Sequence, residues 1–220
     1  MKSMKLAETA IIHSHATGNQ NSRQAAKAFS ETGSLFAFCT AINLESFNSL
    51  LSILPATVRG ELERRDFSDA VGPAKIFSVA PMRELIRFVA QKCSFKKLIE
   101  HEKGWACVDA VYHSVDSTVA RKVKANASTV RAVYAYEDGA LETFKTAKKL
   151  GIPRIYELPI GYWRTHRRLC DEEALLKPDW AHTWHASQDS EAKLNRKDAE
   201  LALATHIIVP SRFVADSLQE

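Results

Sequence analysis

The order of strand-like and helix-like segments constrains this chain more than any other feature. Residues 9–13 (TAIIH) form a short apolar run typical of a buried strand, and residues 35–42 (LFAFCTAI) form another. Between them lies a helix-like segment that starts at about Asn21 and ends at Gly33, a residue type common just after a helix C-terminus. This order predicts a βαβ unit, whose two strands are parallel.

The second half of the chain repeats the alternation. Strand patterns cover residues 130–136, 152–158 and 206–209, and helix patterns cover residues 139–150, the stretch after Gly161, about 189–205 and the segment after Ser211. The alternation predicts an α/β domain with a Rossmann-like, mostly parallel sheet and helices on both faces. Such sheets bind ligands at the carboxyl ends of their strands, so the residues that follow each strand are the candidates for a site.

The middle of the chain is less regular. Residues 45–78 carry prolines and glycines within a polar stretch, which predicts a loop with short helices. Two helix patterns follow. Apolar residues from Met82 to Cys93 recur at the spacing of an amphipathic helix, and a longer valine-rich stripe runs from Val108 to Val123.

Composition excludes several classes of protein. The 220 residues are 45% hydrophobic and 25% charged, as in ordinary globular proteins, and no apolar run is long enough for a membrane-spanning helix. The net charge of +4 is modest and its cations are dispersed, which predicts no nucleic-acid partner but is compatible with a peripheral contact to anionic lipid. Four scattered cysteines predict a reduced, cytoplasmic protein without a structural disulfide.

The segment after the first strand, HSHATGNQN, has the composition of a ligand loop. Gly18 allows a close approach of the backbone to a ligand, and the helix N-terminus beyond it suits a phosphate or a sugar hydroxyl. His15, Thr17 and Asn19 add polar side chains. The plainer interpretation stays open: Gly18 turns the chain and Asn21 caps the helix. The loop is neither a GxGxxG nor a Walker A motif.

Two later strand ends carry further candidates. Glu137 and Asp138 follow the strand at 130–136, where Glu137 could act as a general base toward a hydroxyl and Asp138 could equally cap the next helix. Tyr162 and Arg164 follow the next strand with Trp163 between them, and the aromatic rings could stack on a sugar or belong to the core. The aromatic segment 180–185 could face a membrane interface, a partner or a helix end.

Metal chemistry is the alternative at the first strand end. His13 and His15 lie two residues apart and could point the same way to share a metal, as in a metal-dependent hydrolase. Other possible metal ligands are scattered along the chain. The spacing of Cys93, His101, Cys107 and His113 matches no standard zinc pattern. The sequence therefore predicts no tightly bound metal and no cofactor.

Three segments together resemble a known family. HATGNQNSR, VYAYEDGALETFKTAKKLGIPRIYELPIGYWR and KDAELALATHIIVPSRFVADSL are similar to bacterial glycosyltransferases of family 4, also called group 1, and the resemblance extends over essentially the whole chain. It implies the GT-B fold, with residues 1–220 as the N-terminal, acceptor-side lobe and the donor-binding lobe absent. It also implies metal-independent transfer of a sugar from a nucleotide donor to a hydroxyl of a sugar or lipid-linked acceptor, with retention at the anomeric carbon.

The resemblance also gives the loops their roles. It implies that the Gly18 loop lies near the donor phosphates and the acceptor. The histidine that many members carry after a middle strand is missing at residues 158–161, which leaves Glu137 and Asp138 in the neighbouring loop as the catalytic candidates. We expect the chain alone to be inactive, and to expose Phe213, Val214 or Trp163 and form a homodimer. A non-catalytic sugar-binding module remains the second alternative.

Overall fold

The computed structural model describes residues 10–43, 59–60, 63, 66–183 and 189–219. The strands are β1 (Ile11–Ser14), β2 (Leu35–Thr40), β3 (Ile76–Ser78), β4 (Ala132–Tyr136), β5 (Arg154–Glu157) and β6 (His206–Ile208). The helices that position the site are α1 (Gln20–Glu31), α2 (Pro81–Lys92), α3 (Val108–Ala125), α4 (Leu141–Lys149), α5 (Trp163–Leu176), α6 (Glu191–Leu203) and α7 (Arg212–Asp216). Parts of the predicted loop at 45–78 and of the aromatic segment 180–185 lie outside the described residues.

The six strands form one sheet in the order β3-β2-β1-β4-β5-β6, and every neighbouring pair is parallel. This confirms the predicted α/β fold with a parallel sheet, in the strand order of Rossmann-like domains. The predicted strands are correct to within a few residues. Among the strands that the structure describes, the prediction missed only β3, whose three residues are too few to show a period and lie in the stretch predicted to be loop.

Side chains alternate between two packed faces of the sheet, as they must in a strand. On one face, Ile12, Val133 and Tyr156 form a core with the valines of α3 and with Phe144 of α4. The predicted valine stripe is therefore correct from Val111 to Val123, whereas Val108 at the start of α3 is exposed. On the opposite face, His13 and Tyr134 pack against α1, where the rings of His13 and Phe29 meet with centroids 5.9 Å apart.

The N-terminus of α4 is capped by carboxylates from other helices. Glu200 of α6 accepts hydrogen bonds from the backbone N–H groups of Asp138, Ala140 and Leu141 at 2.9–3.1 Å. Asp116 of α3 accepts those of Glu142 and Thr143 at 2.8 Å each. The alternative that Asp138 caps this helix is wrong, because its side chain bonds to none of these groups and its own N–H is a donor to Glu200.

Helix α2 turns its charged side inward. Glu84 and Arg87 are buried as a bidentate ion pair, with Arg87 nitrogens 2.7 and 2.8 Å from the Glu84 oxygens. Two residues of the predicted apolar stripe, Met82 and Val89, are 63% and 48% exposed instead, and Leu85 and Ile86 are half-buried. A buried ion pair can replace apolar packing when each charge finds its partner, and this pair lies on the inner side of α2 together with Phe88.

The C-terminal helix begins where the sequence predicted, but its apolar side chains are not all exposed as predicted. Ser211 caps α7 by accepting a hydrogen bond from the Val214 N–H. Phe213 is 56% exposed, whereas Val214 is buried and Trp163 packs partly against the core. The expectation of an open surface therefore holds for Phe213 and is wrong for Val214. No helix among the described residues is long and apolar enough to cross a membrane.

Candidate functional site

The loops after β1 and β4 meet at the carboxyl edge of the sheet, because β1 and β4 are adjacent and parallel. They enclose a cavity of about 280 Å³, here called the central cleft. Its walls include His15, Thr17 and Asn19 from the first loop, Glu137 and Asp138 from the second, and Lys193 from α6. The structure thus brings together five of the side chains singled out in the sequence.

The first loop is held by its own side chains. The Nδ1 atom of His15 accepts hydrogen bonds from the backbone N–H groups of Thr17 at 3.2 Å and Gly18 at 2.8 Å. An Nδ1 that accepts hydrogen bonds places the ring proton on Nε2 in a neutral histidine. Asn19 caps α1, since its Oδ1 accepts the Ser22 N–H at 2.7 Å. The expected cap at Asn21 is therefore displaced by two residues.

Gly18 has a packing role. Its φ of +64° lies in the left-handed region, and a Cβ built on it would be 1.9 Å from Cζ of Phe67, a fully buried ring. The space where a Cβ would lie is therefore filled by protein, so packing and backbone conformation both require glycine at this position. Gly18 is itself partly exposed, and its close approach to a substrate stays a prediction.

Glu137 is a buried carboxylate beside a lysine. Its side chain is 9% exposed, and its Oε2 lies 3.4 Å from Nζ of Lys197. Burial raises the pKa of Glu137 to about 7, and the Lys197 ammonium opposes that rise only in part. Asp138 has a φ of +68°, and burial raises its pKa as well. A carboxylate with a pKa near neutrality can accept a proton and release it again.

Two lysines of α6 hold the carboxylates of the cleft, and sequence reasoning missed both. Lys193 Nζ lies 3.0 Å from Oδ1 of both Asp109 and Asp189, and 4.0 Å from Asp138 Oδ2. Lys197 Nζ lies 3.5 Å from Asp189 Oδ2 in addition to its contact with Glu137. Lysines four residues apart share one helix face. That spacing was visible in the sequence, but the packing of the face against the strand ends was not.

Tyr162 and Arg164 do not reach the central cleft. The hydroxyl of Tyr162 donates to Asp198 Oδ1 at 2.5 Å, and the Arg164 guanidinium binds both Asp198 oxygens at 3.0 and 2.6 Å. The Trp163 indole N–H donates to the same carboxylate at 2.7 Å. These three side chains therefore fasten α5 to α6, and only Trp163 lines a neighbouring cavity of about 270 Å³ with Glu137.

The histidine pair of β1 lacks the surroundings of a metal site. His13 is fully buried among aromatic rings, its Nε2 lies 3.1 Å from the Ser22 hydroxyl, and burial with the nearby His15 lowers its pKa to about 3. His15 has its Nδ1 occupied by two backbone donors. The described residues hold one group of three side chains at metal-ligand spacing, and it contains neither histidine. The geometry does not support the hydrolase alternative.

Two solved structures are similar to this chain over nearly its whole length. Phytolacca americana UGT2, solved in complex with UDP-2fluoro-glucose and pterostilbene, matches with a TM-score of 0.50 at 12% identity, over 96% of this chain and 51% of that one. A UDP-glucosyltransferase from Polygonum tinctorium capable of glucosylating indoxyl, in complex with 3,4-dichloroaniline, matches with a TM-score of 0.43 at 14% identity, over 96% of this chain and 49% of that one. No protein-family model and no curated protein matches the sequence.

The match to the Phytolacca americana structure identifies the architecture. The chain has the α/β fold of one lobe of GT-B glycosyltransferases. It spans about half the length of the solved chains that it matches.

Proposed function

We propose that this chain is the acceptor-side lobe of a nucleotide-sugar glycosyltransferase and that the central cleft binds the acceptor hydroxyl. The observation that carries the proposal is Glu137, a buried carboxylate paired with Lys197 at the strand edge of a GT-B lobe. Membership of family 4 and retention at the anomeric carbon belong to the same proposal. They are supported by the three motif segments at residues 15–23, 133–164 and 197–218.

Glu137 acts as the general base in this scheme. The acceptor oxygen forms a bond to the anomeric carbon on the same face from which the nucleotide phosphate departs, so that the configuration is retained, and the hydroxyl proton passes to a Glu137 oxygen. Lys197 stabilises the ionised carboxylate, and Asp138 shares the same lysine at 3.8 Å. The N-terminus of α1, with Thr17 and Asn19 before it, offers a positive dipole end toward the donor phosphates.

In the same proposal, the nucleotide-sugar donor binds mainly through a second lobe outside this chain. Transfer therefore requires the full-length two-lobed protein, and we expect the chain alone to show no turnover. Acceptors of the proposed site are hydroxyl-bearing sugars, free or linked to lipid.

Glu137→Gln tests the base. The amide cannot accept the proton, so we expect kcat of the full-length protein to fall by about 100-fold or more with little change in donor affinity. In the parent protein the rate should rise with pH through about 7, because Glu137 must lose its proton to act as a base. The variant should lose that rise.

Glu142→Gln is the matched control, because Glu142 is a half-exposed carboxylate on α4 whose oxygen pairs with Lys145. Equal activity of parent and Glu137→Gln would rule out the assigned base. Tight sugar binding by the full-length protein without any transfer would favour the sugar-binding module.

We also propose a peripheral contact with anionic lipid, on the surface formed by the exposed apolar side chains of α2 and the segment that follows the helix. Residues 91–98 are all exposed, with Phe95 and Leu98 among Lys92, Lys96 and Lys97. Apolar side chains flanked by lysines suit the interface of an anionic bilayer. This surface, here called the α2 surface, would keep the lobe near a lipid-linked acceptor.

A further inference from the structure

A second cluster of ligand-type side chains lies beside the central cleft. Its members are His101 and Glu102, from the loop before α3, and Asp189, just before α6. The Nε2 atom of His101 is 3.2 Å from Oε1 of Glu102 and 3.2 Å from Oδ1 of Asp189. One ligand atom from each of the three side chains lies within 4.8 Å of the others.

These separations match those of zinc ligands. Zinc bonds of about 2.0–2.1 Å to nitrogen and oxygen, arranged as a tetrahedron, separate neighbouring ligand atoms by about 3.3 Å. Both measured nitrogen-to-oxygen distances are close to that value. An ion at the centre would meet one imidazole and two carboxylates, with its fourth position toward solvent, since the His101 side chain is 47% exposed.

Asp109 supplies an independent observation. It is 6% exposed, and its Oδ2 is buried without a hydrogen-bond partner. That oxygen lies 3.9 Å from Nδ1 of His101, on the side of the ring opposite the two carboxylates. Metal-bound histidines commonly donate their other ring N–H to a carboxylate, which orients the ring and strengthens the ligand. Asp109 stands where such a carboxylate is needed.

The charge balance favours a cation at this point. Four carboxylates (Asp109, Glu137, Asp138 and Asp189) share the two ammonium groups of Lys193 and Lys197. Glu102 adds a fifth carboxylate, which contacts Ser190 and His101 instead. A divalent ion would offset most of the remaining negative charge. Lys193 Nζ also contacts Asp189 Oδ1 at 3.0 Å, and so would compete with the ion for that oxygen. It lies equally close to Asp109 Oδ1, and this second contact can hold the lysine in place when the ion binds Asp189.

We propose that His101 Nε2, Glu102 Oε1 and Asp189 Oδ1 bind a divalent transition-metal ion of the zinc class, with Asp109 orienting His101. The ion would tie the loop before α3 to the start of α6, and so fix Lys193 and Lys197 above the cleft. The spacing of residues in the sequence predicted no such site, because Asp189 lies far along the chain from His101 and Glu102. The inference does not depend on the proposed transferase activity.

Zinc titration of the chelator-treated chain tests the site. We expect one Zn²⁺ per chain by calorimetry, and visible absorption bands of a tetrahedral site when Co²⁺ is added instead. His101→Ala and Asp189→Asn should each weaken Zn²⁺ binding by about 100-fold, and Asp109→Asn, which removes only the orienting acceptor, by about tenfold.

Controls separate this site from other zinc-binding side chains. His206→Ala removes an exposed histidine on β6, and Cys170→Ala removes a thiol 3.7 Å from His166 Nε2; both should leave Zn²⁺ affinity unchanged. The proposal is overturned if the folded parent chain binds no Zn²⁺. It is equally overturned if His101→Ala and Asp189→Asn, both still folded by circular dichroism, bind Zn²⁺ like the parent.

Discussion

Gly18 lies against the buried ring of Phe67, and this contact leaves no room for a side chain at position 18. Phe67 packs on Phe38 of β2, with ring centroids 4.6 Å apart, and so connects the first loop to the sheet. A residue with a side chain at position 18 would have to displace that ring and adopt a positive φ as well. Packing and backbone conformation therefore act together here.

Gly18→Ala should destabilise the chain by about 3 kcal/mol. The left-handed conformation costs a non-glycine residue roughly 1–2 kcal/mol, and overpacking against Phe67 adds about 1–3 kcal/mol. Urea unfolding measures the loss. Gly33→Ala is the matched control, because Gly33 has a φ of +70° but nothing within 4 Å of its Cβ position. Equal losses in the two variants would show that Phe67 does not restrict position 18.

Some residues of the candidate site were predictable and others were not, for a physical reason. Glu137 and Asp138 could be found because parallel strands end at one edge, so that position after a strand is enough to locate them. Lys193, Lys197 and Asp109 come from helices, and their positions depend on how those helices pack across the strand ends. Tyr162 was misassigned for the same reason, since its partner Asp198 belongs to α6.

At the scale of elements, the N-terminus of α4 is capped by carboxylates that belong to other helices. Its first turn lacks a side-chain cap of its own. Glu200 and Asp116 accept three backbone N–H groups of that turn and two more just before it. Arg196 bridges the two acids, with Nη2 2.7 Å from Asp116 Oδ2 and Nε 3.2 Å from Glu200 Oε1. Helices α3, α4 and α6 are thereby joined at the loop that carries Glu137.

Glu200→Ala should cost about 3 kcal/mol of unfolding free energy, because it leaves one buried and two partly buried N–H groups without acceptors and removes a partner of Arg196. Chemical denaturation of the parent and the variant gives the difference. Glu191→Ala is the control on the same helix, since Glu191 is exposed and its nearest cation, on Arg167, lies 3.8 Å away. A loss below about 1 kcal/mol for Glu200→Ala would refute the capping role.

Helices and strands were predicted correctly where the pattern of apolar residues extended over many residues. The valines from Val111 to Val123 in α3 are buried as expected, and the strand at Ala132–Tyr136 is buried at every residue. Helix α2 has an equally clear apolar stripe, but the buried Glu84–Arg87 pair occupies its inner side. Periodicity identifies a helix and its two faces; which face turns inward depends on partners elsewhere in the fold.

At the scale of the whole molecule, the apolar residues left outside the core are concentrated in a few regions. The α2 surface carries Met82, Val89, Phe95 and Leu98, all at least 37% exposed. Three lysines at positions 92, 96 and 97 follow the helix, and all three are exposed. Exposed apolar side chains grouped in this way commonly mark a binding surface, and the lysines indicate an anionic partner.

We expect the chain to bind vesicles of mixed phosphatidylcholine and phosphatidylglycerol, and to bind pure phosphatidylcholine much more weakly. Each lysine near an anionic surface contributes about 1 kcal/mol, so the double variant Lys96→Glu, Lys97→Glu should lose at least ~30-fold in vesicle affinity. Phe95→Ser should also weaken binding, through the loss of apolar insertion. Sedimentation of the chain with vesicles measures both effects.

The control for this surface is Leu175→Ser, which removes an 86% exposed leucine from α5 and leaves the α2 surface unchanged. Binding through charge should weaken as salt rises, because ions screen exposed charges over about 10 Å at 0.1 M. If the α2 surface instead joins two copies of the chain, Phe95→Ser will shift the sedimentation coefficient toward the monomer and leave vesicle binding unaltered. Equal binding to neutral and anionic vesicles would contradict the role of Lys96 and Lys97.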